Sequence, residues 1–63
     1  MMPARILVIE DNPTNLDLMT YLLSTFGHTT LTALNGEEGL LAAQRERPDL
    51  IHLRHAVADL SRL

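Results

Sequence analysis

At 63 residues and a net charge of −3, the chain is one domain at most, and folding at this size buries only about 60% of the surface that the unfolded chain exposes. Five arginines and no lysine against eight acidic residues supply no clustered basic face, so no nucleic-acid partner is expected. The lack of cysteine excludes a disulfide framework, a thiolate metal site and a cysteine nucleophile. No apolar run approaches the roughly 20 residues that span a bilayer, and residues 1–9 lack the pattern of a signal peptide, so a cytoplasmic protein with no membrane partner is expected.

The run Arg5-Ile6-Leu7-Val8-Ile9, bounded by Pro3 and by Asp11-Asn12-Pro13, is too short for a helix and reads as a central, buried strand. It delivers two carboxylates, Glu10 and Asp11, to the end of a sheet. Asn12 is a good N-cap, with Pro13 at the first helical position, where its missing N–H costs nothing. The helix that follows has an apolar stripe of Leu16, Met19, Leu22, Leu23 and Phe26, with Asn15, Asp17, Thr20 and Ser24 on the other side, and Gly27 stops it as a left-handed residue.

Residues 28–34 are rich in threonine and predict a second strand suited to a sheet edge. Asn35-Gly36-Glu37-Glu38 has the form of a capping box, opening a second helix that runs to about Arg47 and is ended by Pro48. Leu40, Leu41 and Ala43 give that helix its expected buried face, and Gly39 is expected to weaken it by about 1 kcal/mol relative to Ala. A third strand starts at Asp49-Leu50-Ile51. Strand, helix, strand, helix and strand with short connections predict a parallel α/β sheet, in which ligands bind beyond the carboxyl ends of the strands. Glu10 and Asp11 fall there.

Two adjacent acids repel one another, and a hard divalent cation with oxygen ligands, such as Mg²⁺, relieves that repulsion. The pair is half of such a site, and its structural alternative is two solvated acids before a helix, where Asp11 favours the helix dipole. His28, His52 and His55 are better read as structural, because two His without a Cys or a suitably placed acid leave a transition metal under-ligated. No nucleophile elbow, G-x-G-x-x-G or P-loop is present, so no enzyme activity is expected.

Residues 6–12, with Leu16, Gly27, Asn35-Gly36 and Pro48-Asp49-Leu50-Ile51, resemble the first half of a response-regulator receiver domain. The run Ile9-Glu10-Asp11-Asn12-Pro13-Thr14-Asn15 is particularly similar to single-domain regulators and to receivers of hybrid histidine kinases. Residues 5–51 carry the resemblance, and residues 52–63 form a divergent tail. What the resemblance implies is a truncated flavodoxin-like sheet in strand order 2-1-3, a Mg²⁺ held by Asp11 with Glu10, and a histidine kinase or phosphotransfer domain as partner. The family's phosphoacceptor aspartate falls three residues after Ile51, where this chain has Arg54. An arginine cannot accept a phosphoryl group, and its fixed charge competes with a cation, so the expectation is a receiver that is not phosphorylated there. Asp49 belongs at the opposite end of the strand and is no substitute.

Two accounts of the tail follow from its residues. A shift of reading frame after Ile51 would make the chain a non-functional fragment, and the gene would then hold a receiver-like continuation in another frame. Alternatively Leu53, Val57, Leu60 and Leu63 are spaced for a short amphipathic helix covering the exposed sheet, giving a non-catalytic interaction or dimerisation module. In the first case an unpaired third strand is expected to invite self-association through the sheet edge.

Overall fold

The structure, a computed structural model, describes residues 3–53 and, for the main chain, 56–59. Its elements are β1 (Arg5–Ile9), α1 (Pro13–Thr25), β2 (Thr29–Ala33), α2 (Gly36–Glu46), β3 (Leu50–Leu53) and β4 (Ala56–Asp59). They build one sheet in the order β2-β1-β3-β4. β1 pairs in parallel with β2 from Arg5↔Thr29 to Ile9↔Ala33, and with β3 from Ile6↔Leu50 to Ile9↔Leu53. The expected order 2-1-3 and the edge position of β2 are therefore as observed.

β1 is central because it is apolar on both faces. Leu7 and Val8, which point to opposite sides of the sheet, have no solvent-accessible surface, and Ile6 is also buried. On one side Leu7 joins Ala33 and Ala42 in the core, with Ile9, Leu31, Ala43 and Ile51 packed around them. α2 covers this side, and α1 covers the side of Ile6.

The helix ends follow the sequence closely. Asn12 Oδ1 accepts from the Thr14 and Asn15 N–H groups, with Pro13 in the first turn. At the other end Gly27, at φ 86°, allows its own N–H to reach the Ser24 carbonyl and the His28 N–H to reach the Leu23 carbonyl, which is a Schellman closure. In α2, Asn35 Oδ1 accepts from the Glu38 N–H. The reciprocal half of the capping box is shifted by one residue, since Glu38 Oε2 takes the Leu34 N–H at 2.8 Å. Arg47, at φ 49°, closes the helix one residue earlier than expected by donating its N–H to Ala43.

Three expectations are corrected. The buried residues of α2 are Gly39 and Ala42, with Ala43 and Glu46 half-buried, whereas Leu40 and Leu41 are exposed. The reason is close approach: a Cβ at Gly39 would collide with Cδ1 and Cγ1 of Ile9, so the small residues form the contact ridge and the leucines turn away. In α1 the half-buried residues are Leu16, Met19, Thr20 and Leu23, while Leu22 and Phe26 are exposed. Thr20 tolerates the inner face because its hydroxyl donates to the Leu16 carbonyl at 2.8 Å.

The third correction concerns the tail. Residues 56–59 form a strand antiparallel to β3, with register from Leu53↔Ala56 to Leu50↔Asp59, so the helix over Leu53, Val57, Leu60 and Leu63 does not form at Leu53 and Val57. Leu60 and Leu63 lie outside the described residues. β3 is consequently paired on both sides, and its expected open edge is closed by β4.

Candidate functional site at the carboxyl ends of the strands

Parallel pairing forces β1, β2 and β3 to end on the same side, so the loops after them converge. An open cleft of about 240 Å³ lies there, lined by Ile9, Glu10, Asp11, Leu34, Asn35, Gly36 and Leu53. Glu10 is held by the sheet: its N–H donates to the Ala33 carbonyl at 3.0 Å, continuing the ladder one residue past Ile9. Its carboxylate turns back, and Oε1 accepts from the Asn12 N–H at 3.1 Å. Asp11 is exposed at the lip of the cleft.

The two predicted site residues are thus brought together in one cleft, with different duties. Glu10 has one oxygen engaged in the turn that starts α1, and Asp11 presents its carboxylate to solvent. Among the described residues no three His, Asp or Glu side chains converge as a metal cluster. The donor set fits a cation such as Mg²⁺, which binds through one or two carboxylates and keeps several waters. It does not form a closed cage. Arg54, expected to neighbour this pair, lies outside the described residues, as does His55.

Leu34, Asn35, Gly36 and Leu53 were not singled out as lining residues from the sequence. The signal that could have placed them is topological, because in a parallel sheet the loop after β2 and the end of β3 must flank the loop after β1. Asp49 sits at the other end of the sheet, as expected. Its Oδ2 accepts the Arg5 N–H at 2.9 Å and its N–H donates to the Arg5 carbonyl at 2.8 Å, so it fastens the start of β3 to the start of β1. The Arg5 guanidinium adds a bond to the Glu46 carbonyl at 2.6 Å, tying the end of α2 to the same corner.

The histidines have other surroundings. His28 Nδ1 accepts the Ala4 N–H at 3.0 Å, so the lone pair of that nitrogen is engaged by the main chain and not open to a metal. His52 is in β3, so the helical spacing that related it to His55 does not apply. Both rings line a second cleft of about 250 Å³ on the α1 side, with Ile6, Leu23 and Leu50. His52 Nδ1 is buried without a hydrogen-bond partner among the described residues.

No protein-family model matches the chain. It is 42% identical over 48 residues to Protein PilH of Pseudomonas aeruginosa, covering 76% of this chain and 40% of that protein. It is 36% identical over 62 residues to the polar-differentiation response regulator DivK of Brucella anthropi, covering 98% of this chain and 50% of that protein. A third relative is the alkaline phosphatase synthesis transcriptional regulatory protein PhoP of Bacillus subtilis, 42% identical over 52 residues and covering 82% of this chain but 22% of that protein. The chain therefore spans half or less of the length of these curated relatives. No helix among the described residues is long and apolar enough to cross a membrane. By these similarities and by its parallel β2-β1-β3 sheet with helices on both faces, the chain is a receiver-domain fragment similar to part of the response regulators, with the β1-α1-β2-α2-β3 arrangement of a flavodoxin-like receiver.

Proposed function

We propose that this chain is a receiver-like module of a two-component or phosphorelay system that engages a histidine kinase or phosphotransfer domain and is not phosphorylated at the usual position. The observation that supports this most is the cleft at the strand ends, where Glu10 and Asp11 lie beside Leu53, the last residue of β3. A carboxylate one residue further on would complete a phosphoacceptor site. The sequence has Arg54 there, whose guanidinium is always protonated and has no lone pair with which to attack phosphorus.

Asp11, with the free oxygen of Glu10, would hold Mg²⁺, which supplies charge neutralisation to a phosphoryl group when bound. Glu10 simultaneously fixes, by accepting the Asn12 N–H, the turn that carries Asp11 at the lip of the cleft. Exposing the full chain to acetyl phosphate and Mg²⁺ and weighing it by intact mass tests the reading: no phosphoryl adduct is expected. An adduct that hydroxylamine removes would show an acyl phosphate and overturn it. Titration with Mg²⁺ is expected to show weak binding that Asp11→Asn abolishes.

One observation favours a second, compatible role. α1 with its C-cap residue Phe26 exposes Leu18, Tyr21, Leu22 and Phe26, an apolar surface on which a kinase's histidine-bearing helices could dock without any phosphoryl transfer. Amide chemical shifts of the labelled chain, titrated with a histidine phosphotransfer domain, would move along α1 if this is right, and changes confined to other elements would exclude it.

A further inference from the structure

We propose that β2 is the interface of a homodimer, in which two copies pair antiparallel and edge to edge about a two-fold axis at Leu31. β2 pairs with β1 on one side and with no described strand on the other. The Thr29 N–H donates to the Ala4 carbonyl and the Ala33 carbonyl accepts from Glu10, so Thr29, Leu31 and Ala33 direct their main chain towards β1. Alternation along the strand then turns the N–H and C=O groups of Thr30 and Thr32 outward.

Edge strands are normally protected by charges, proline or bulges. Residues 28–34, His-Thr-Thr-Leu-Thr-Ala-Leu, contain no Lys, Arg, Asp, Glu or Pro, and the register of β2 on β1 runs without a bulge. Thr29 and Thr32 are exposed, and Thr30 and Leu31 only half-buried. Among the described residues the edge is therefore open, uncharged and straight.

Its sequence also selects the occupant. An axis at Leu31 sets Thr30 opposite Thr32 of the second copy, and the reverse. These are the residues with outward main-chain groups, so each pair exchanges two hydrogen bonds and none of those groups is left over. Thr–Thr is a favourable cross-strand pair. Thr29 meets Ala33, a small residue, and Leu31 meets its own copy at the close, non-hydrogen-bonded position. Because Leu31 packs against the Leu7–Ala33–Ala42 core, the Leu31 pair makes that core continuous across the axis. The contact is isologous and closes on itself.

The test uses the full chain. Sedimentation equilibrium is expected to show a monomer–dimer equilibrium, and Thr32→Pro to weaken it by about 30-fold, the equivalent of one lost hydrogen bond per copy. The outward N–H of Thr32 is not needed for pairing with β1, so circular dichroism of this variant should be unchanged. A second measurement does not depend on that proline: a mixture of Thr30→Cys and Thr32→Cys chains should oxidise to a mixed disulfide faster than either chain cross-links with itself. A chain that stays monomeric, a dimer indifferent to Thr32→Pro with no preference for the mixed disulfide, or open-ended growth through β2 and the outer edge of β4 would each overturn the proposal.

Discussion

Gly39 shows how one position can reverse an expectation built on propensity. In an exposed helix interior, glycine to alanine is stabilising by about 1 kcal/mol, yet the missing Cβ of Gly39 is where the Ile9 side chain sits. Forcing a methyl group into a packed contact costs about 1–3 kcal/mol. Gly39→Ala is therefore expected to lower the denaturant midpoint by the equivalent of about 1 kcal/mol. Adding Ile9→Val, which removes Cδ1, should recover part of the loss, so that the double variant is more stable than the sum of the single changes predicts. The same residue explains why the α2 face was misjudged: Leu40 and Leu41 dominate any hydropathy pattern, but steric access to Ile9 belongs to Gly39 and Ala42. Glu10 is legible for a different reason. Its place after an apolar run identifies the strand end, although its bond to the Asn12 N–H could not be foreseen from composition. Glu10→Gln keeps an oxygen for that N–H while removing the charge, so it should leave the melting temperature nearly unchanged while reducing any affinity for Mg²⁺.

Among the elements, α1 depends on its ends more than on its inner face. None of its residues is fully buried, whereas both termini are closed by named bonds. Asn12→Ala removes the acceptor for two N–H groups and is expected to destabilise by about 1 kcal/mol. Gly27→Ala, which puts a side chain at φ 86°, should cost about as much. Urea titrations followed at the helical circular dichroism band would measure both. These caps were legible because Asn-Pro and a glycine after an apolar run carry their structural meaning locally. The parallel order β2-β1-β3 was legible because alternation of strands and helices leaves few topologies. The strand β4 was not. Leu53, Val57 and Leu60 recur at helical steps, while pairing with β3 depends on partners across the chain reversal, which periodicity alone cannot register. The face of α1 was only partly read, since apolar residues lie all around it and packing on the sheet chose Leu16, Met19 and Leu23 over Leu22 and Phe26.

At the scale of the molecule, the buried apolar side chains of the described residues are few: Pro48 apart, they are Ile6, Leu7, Val8, Ala33 and Ala42, and only Leu7 and Val8 are fully enclosed. Stability of a chain this long is on the order of 3–9 kcal/mol, and emptying a core leucine site costs about 2–5 kcal/mol. Leu7→Ala should therefore unfold a large share of the population at room temperature, visible as lost dichroism in the absence of denaturant. The hairpin of β3 and β4 bears on how such a shallow core is reached at all. β1 and β3 meet across 44 residues at Ile6↔Leu50, whereas Leu53 and Ala56 pair only three apart. Local ladders of this kind close in about 1–10 μs, well before a long loop brings its partner strand into place. β3 would then arrive at β1 already extended and with its far side occupied, so the slowest contact of the fold is made by a straightened strand with one remaining face of hydrogen bonds to offer.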